Sequence, residues 1–133
     1  MPRAFCRLWF LWIPLVWFIS FPWFGFTFQP QWNRVNLIPL ADPSDRPRDV
    51  VANLLLFVPF GFSAARRRTP AQALARAAGL AAVVSISAEA MQLFSTTRYP
   101  SATDVAAAIL GSLAGALSTI YLRISSKSGT WTN

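Results

Sequence analysis

Histidine is absent from this chain, and cysteine occurs once, at Cys6. The first absence excludes a histidine general base, and the two together exclude a zinc site of the usual Cys/His type. A single cysteine excludes an internal disulfide. Any chemistry would have to run on carboxylates, arginines, hydroxyls and amides, and neither a metal nor a cofactor is expected. Charge is scarce as well. Charged residues make up 13% of the chain, against about 25% in soluble domains.

What is present is apolar. Hydrophobic residues reach 54% of the 133 positions, and the mean hydropathy is +0.41. Such a chain has room for a single membrane domain over residues 1–133 with about four spans, and little beyond it. The net charge of +7 would suit a nucleic-acid partner, but the basic residues stand at the ends of apolar segments rather than along one polar face. That is the pattern of membrane topology signals, and no nucleic acid is expected as a partner.

Four apolar segments are predicted as spans, at about 8–28, 49–65, 74–94 and 103–122. The first is rich in Trp and Phe and is interrupted by Pro14, Pro22 and Gly25. Arg3 and Arg7 precede it as in a signal peptide, yet its body is too long and too aromatic for one, and no small-x-small cleavage site follows; it reads as a retained span. A proline-rich connection from Gln29 to Arg48 follows, in which Leu37, Ile38 and Leu40 are expected at the membrane surface. The second span starts near Asp49 and meets Pro59 and Gly61, where Pro59 should kink or end the helix. Thr69 as N-cap and Pro70 at the first helical position open the third helix, predicted over 70–94. Ser101 with Asp104 fits the S-x-x-D capping pattern that opens the fourth.

The basic residues orient the bundle. Arg3, Arg7, Arg66 to Arg68, Arg76, Arg123 and Lys127 fall on one side, and Arg34, Arg46, Arg48 and Arg98 on the other. The positive-inside rule makes the first side cytoplasmic, with both termini there. All five acids, Asp42, Asp45, Asp49, Glu89 and Asp104, lie on or near the opposite side.

Glu89 and Gln92 stand inside the apolar run from Ala77 to Phe94. A carboxylate at the membrane centre costs about 2.5–3.5 kcal/mol on insertion scales, so it needs a reason to be there. Asp49 and Asn53 share a face at i,i+4, Glu89 and Gln92 share another at i,i+3, and Ser85 lies one turn below Glu89. With Arg98, Ser101 and Asp104 at similar depth, these residues form a candidate polar cleft open to the extracytoplasmic side, with Glu89 expected to pair with Arg98 and to be hydrogen-bonded by Gln92 or Asn53. Blander roles stand beside this one. Asp104 would serve as a capping acid, Asp49 as a charge favoured by the helix dipole, Asn53 and Gln92 as interhelical hydrogen-bonders, and the charges together as a structural ion network. Pro59, Gly61, Gly111 and Gly115 read as packing positions. Gly111-x-x-x-Gly115, extended by Ala107 and Thr119, lets a neighbour approach closely. Whether that neighbour is the third helix or a second copy of the chain is left open by the pattern.

In order and spacing these residues resemble the VanZ-like family of small integral membrane proteins. The likeness runs over about 36–122. It is carried by Asp49, Asn53, Phe57-Val58-Pro59-Phe60-Gly61, Glu89-Ala-Met-Gln92-Leu-Phe94, Arg98, Ser101, Asp104 and Gly111 with Gly115. One position departs from it. Ala108 stands where an Asn is usual one turn after the Asp of the last span, which would reduce any site that uses the Asn. The resemblance implies an all-α, polytopic protein with four transmembrane helices in one bundle, set in the bacterial cytoplasmic membrane. It also implies a cell-envelope context and a link to resistance against the glycopeptide teicoplanin. Two functions follow: a non-enzymatic protein that binds membrane lipids and a lipid-linked or peptidic ligand or partner in the cleft, or a membrane-embedded enzyme using Glu89 or Asp104 as acid or base with Arg98 holding an anionic group. The first is favoured, because no nucleophile motif, phosphate loop or metal-ligand cluster supports the second. A transporter is disfavoured by the lack of a repeat or of a polar path through the inner half.

Overall fold

The computed structural model describes residues 8–40, 46–66 and 68–128. Expectations resting on Arg3, Cys6, Arg7, Asp42, Asp45, Arg67 and the side chain of Lys127 lie outside the described residues. Within them the chain is all-α, with helices α1 (Trp12–Ser20), α2 (Pro47–Ala64), α3 (Pro70–Gln92) and α4 (Ala102–Ser128). A 3-10 turn over Leu8–Leu11 leads into α1, and another covers Trp32–Arg34. α3 and α4 are each long and apolar enough to cross a bilayer.

The helix starts follow from local chemistry. Pro47 and Pro70 occupy first-turn positions that need no N–H donor. Thr69 and Gln72 form a reciprocal capping box. The Gln72 N–H donates to Thr69 Oγ1 at 3.3 Å, and the Thr69 N–H donates to Gln72 Oε1 at 3.4 Å. Ahead of α4, Ser101 Oγ accepts the Thr103 N–H at 3.1 Å.

The first apolar run is not one helix from Leu8 to Phe28. α1 ends at Ser20, because Phe21 precedes Pro22 and takes the extended backbone that a following proline imposes, φ −61 and ψ 133. Nine residues of α-helix rise about 13.5 Å, less than half of a ~30 Å hydrocarbon core. The chain then turns at Gly25, whose φ of +82 suits glycine and whose carbonyl accepts both the Thr96 N–H, at 2.8 Å, and the Thr96 hydroxyl, at 3.0 Å. Two other boundaries differ from the sequence reading. α3 gives way to a turn at Leu93 and Phe94, and α4 continues past Leu122 to Ser128. Pro59 stays inside α2 without ending it, and the Ser63 hydroxyl one turn on donates to the Pro59 carbonyl at 2.7 Å.

The tightest packing joins α2 to α4, which run parallel. A Cβ on Gly111 would strike the carbonyl of Leu54, one on Gly115 that of Val58, and one on Gly61 that of Ser112. One turn further, the Thr119 hydroxyl donates to the Phe62 carbonyl at 2.9 Å. The glycine face is therefore filled by α2 of the same chain. Both of its glycines are buried there, against α2 rather than the third helix that the pattern offered. α3 packs antiparallel against this pair through the fully buried Ala73, Ala77 and Ala81, and the Ser112 hydroxyl donates to the Ala77 carbonyl at 2.9 Å. α1 lies against α3 and the middle of α2, with Val16 buried in a cluster with Phe57, Phe60, Ala81, Val84, Ala88 and Ala108.

The bundle has two unlike ends. One carries the α2–α3 hairpin, where Arg123 Nη1 donates to the Arg68 carbonyl at 2.9 Å. The other gathers the starts of α2 and α4 and the end of α3.

Candidate functional site

At that second end, Asp49 and Asn53 of α2, Glu89 and Gln92 of α3, Arg98 of the α3–α4 loop and Ser101 and Asp104 at the start of α4 line one cavity of about 470 Å³. Asp49 and Asn53, and Glu89 and Gln92, reach it by their helical spacing, Arg98 and Ser101 by the α3–α4 loop, and α1 closes one flank with Val16, Ile19 and Ser20. The lining divides by chemistry. Val16, Ile19, Ala52, Leu56 and Ala88 are apolar, whereas Arg46, Arg48, Asp49, Glu89, Arg98 and Asp104 bring charge, with Tyr99 beside them.

Glu89 is half-buried and held by neutral donors. Its Oε1 accepts from Gln92 Nε2 at 3.4 Å, and its Oε2 accepts the Ser101 backbone N–H at 2.8 Å. The latter is the bond that Asp104 would make in a capping box, so the acceptor for the N-cap residue of α4 comes from α3. Bonds of this charge-assisted kind contribute about 1.5–3 kcal/mol and offset the desolvation of the carboxylate. They take the place of the Glu89–Arg98 pair expected from the sequence. Gln92, itself buried, is thereby tied to the carboxylate.

The described ion pair is at the rim, Arg48 Nε to Asp49 Oδ1 at 3.6 Å, with side chains 81% and 50% exposed. A pair so open to solvent is worth under about 1 kcal/mol. Among the described residues, Arg46 and Arg98 have no carboxylate partner. Ser95 sets the loop that carries Arg98. It is fully buried, and its hydroxyl oxygen accepts the N–H groups of Thr97, at 3.2 Å, and Arg98, at 2.9 Å.

The connection between α1 and α2 straps this end together. Thr27 N–H donates to the Phe94 carbonyl at 2.9 Å, Gln31 N–H to that of Leu93 at 2.8 Å and Asn36 N–H to that of Pro100 at 2.9 Å. Ala102 N–H returns a bond to the Asn36 carbonyl at 2.9 Å. Arg34 donates to the Thr96 carbonyl at 2.6 Å and lies over the Tyr99 ring, 5.1 Å from its centroid.

Sequence reasoning did not find Arg46, Arg48, Tyr99 or the α1 flank. The two arginines were counted as topology charges, although their place three and one residues before Asp49 puts them at the same helix start. The packing residues Pro59, Gly61, Gly111 and Gly115 stand apart from the cavity lining, three of them in the α2–α4 seam. Ala108 is fully buried in the apolar cluster rather than on the cavity wall.

A family model described as VanZ/LLP1 matches residues 6–123, which includes the aromatic first run. No curated protein and no solved structure matches the chain. The chain belongs to the VanZ/LLP1 family.

Proposed function

We propose that this VanZ/LLP1 protein is a multi-pass protein of the bacterial cytoplasmic membrane that binds a charged envelope ligand, lipid-linked or peptidic, in a cleft open to the extracytoplasmic side. The observation that carries the reading is a single cavity with an apolar floor and six charged side chains around it, contributed by α2, α3, α4 and two connections. Recognition sites combine apolar walls with a few convergent polar groups in this way. Glu89 is already engaged by two donors, which favours a positioning role over the acid–base work of the enzymatic alternative.

The orientation rests on charge. Eight of the 12 basic residues belong to the hairpin side and to segments joined to it, and short loops of that kind stay in the cytoplasm. α1 runs antiparallel to α2, since Trp12 Nε1 donates to the Leu56 carbonyl at 3.0 Å while Ile19 and Ser20 sit near Asp49 across the cavity. The crossing that begins at Leu8 is completed by the extended strap beyond Ser20, giving four crossings with both termini inside.

Thr97 lines the cavity and is exposed, and Thr69 is exposed at the opposite end. A membrane-impermeant maleimide should label Thr97→Cys on intact cells and leave Thr69→Cys unlabelled, and an envelope lipid extract should slow the labelling of Thr97→Cys. Labelling of Thr69→Cys alone would overturn the orientation. Teicoplanin susceptibility of a host expressing wild type or Asp104→Asn supplies the envelope phenotype, and equal susceptibility with and without the protein would remove the resistance role.

A further inference from the structure

Resting on that reading, we infer that the ligand is a membrane-resident lipid phosphate that enters the cavity sideways, between α1 and α2, and leaves its hydrocarbon chain in the outer leaflet. The first support is the way α1 sits. Its beginning touches α2 through Trp12 and Leu56. Its second half leans on α3 instead, where Trp17 Nε1 donates to Ser87 Oγ at 2.9 Å. The two helices therefore part toward the cavity end, and the wedge between them is the cavity itself, lined by Val16 and Ile19 on one side and by Ala52 and Leu56 on the other. Ile19 and Ala52 line the cavity and are exposed, so its apolar lining reaches the opening between the two helices.

Charge selects the headgroup. Three arginines and three carboxylates line the site, but they are not equivalent. Glu89 is held by Ser101 and Gln92, and Asp49 faces Arg48. Arg46 and Arg98 are left as cations without a carboxylate partner among the described residues. Guanidinium groups match phosphate oxygens in fork geometry, which makes them the natural receivers of an anionic headgroup.

Volume decides between a whole lipid and part of one. The cavity of about 470 Å³ lies within the range of small-ligand sites, which suits a headgroup and part of a chain rather than a whole two-chain or polyprenyl lipid. The chain must leave through an opening, and the wedge is the apolar one. The strap sets the depth. Phe24 and Phe28, 86% and 89% exposed, and Trp32, Leu37 and Ile38 project from the same end of the bundle. Such an aromatic and aliphatic rim is at home in the interfacial zone of a bilayer, where it continues the lipid-facing surfaces of the spans and holds the cavity mouth at headgroup level.

The experiment is native mass spectrometry of the full chain released from nanodiscs, titrated separately with phosphatidylglycerol, a polyprenyl phosphate and soluble glycerol 3-phosphate. Both lipid phosphates should bind at least about tenfold more tightly than glycerol 3-phosphate, and the tighter of the two names the natural source. Arg98→Gln should weaken lipid binding by about tenfold, the loss expected for one charge-assisted contact. Ala52→Trp and Ile19→Trp, at two exposed positions that plug the wedge from either side, should do the same, while Leu110→Trp on the far lipid face should leave binding unchanged. Equal binding of glycerol 3-phosphate, with both wedge variants silent and Arg98→Gln impaired, would overturn lateral access and keep the anion cleft. No binding of any probe above the Arg98→Gln background would overturn the lipid-phosphate ligand, while the cleft reading would still stand or fall on the labelling of Thr97→Cys.

Discussion

The hairpin half and the cleft half of this bundle are built from the same helices, yet they solve opposite problems. Below, α2 and α4 touch backbone to backbone through Gly61, Gly111 and Gly115, with almost nothing between them. Above, α1 leans away from α2 and a cavity of about 470 Å³ stands where a core would otherwise be. In lipid, close approach of small residues holds helices together by dispersion and short hydrogen bonds, since there is no water to expel. A polar cavity is unfavourable by the same measure. The difference teaches that the seam supplies the adhesion that lets the other half remain open and charged.

The comparison breaks first at the seam. Gly115→Leu should destabilise the protein by about 3 kcal/mol or more, because the added side chain runs into the Val58 carbonyl and neither backbone can yield. Thermal unfolding in detergent reads this directly, and an unchanged melting temperature would mean that the seam is not what joins the two helices. Next comes the fastening across the cleft. Glu89→Ala should lower stability by about 2 kcal/mol, since it leaves the Ser101 N–H unmatched at the head of α4. In a double-mutant cycle, Glu89→Gln and Arg98→Gln should add within about 0.5 kcal/mol, as expected for groups that do not share a bond. A larger coupling would restore the ion pair expected from the sequence.

Smaller effects sharpen the contrast. A Cβ on Gly79 would meet nothing nearby, so Gly79→Ala should stabilise α3 by about 0.5–1 kcal/mol through helix propensity alone. The same substitution at Gly111 should do the reverse, and two parallel melts decide it. Smallest of all, Arg48→Gln should move stability by less than about 0.5 kcal/mol, because its pair with Asp49 is open to solvent. A clear loss at high salt would show that the rim charges are fastened more firmly than their exposure suggests.

Much of this was legible in the residue order. Spacing alone put Asp49 with Asn53 and Glu89 with Gln92, because helical periodicity carries side chains to a common face, and the Thr69-Pro70 pair marked a helix start to the residue. Three things were not legible. The end of α1 at Ser20 was hidden inside an apolar run whose composition suits a full span, and only Pro22 with Gly25 hinted at the break. Gln92 was legible as a donor to Glu89, but the other donor is a main-chain N–H, which no residue type advertises, so reasoning from side chains turned to Arg98 instead. Finally, Gly111 and Gly115 announce a close contact without naming who makes it. α2 emerges as the partner because Gly61 supplies the matching gap against Ser112, and reading Gly61 as a packing position does not say which helix it packs against.

The parallel seam also carries a schedule. Thr119 and Phe62 bond across 57 positions of sequence. At a synthesis rate of about 5–20 residues per second, α2 is complete for roughly 3–11 s before its partner surface exists. During that interval the groove at Gly61 faces lipid or the insertion machinery, while α3 folds back through the nearby hairpin. Assembly is therefore a delayed docking of the last helix onto the oldest long one. A lesion in the groove would let the chain insert normally and fail only at that closing step, leaving an integrated but loosely assembled protein for membrane proteases to find.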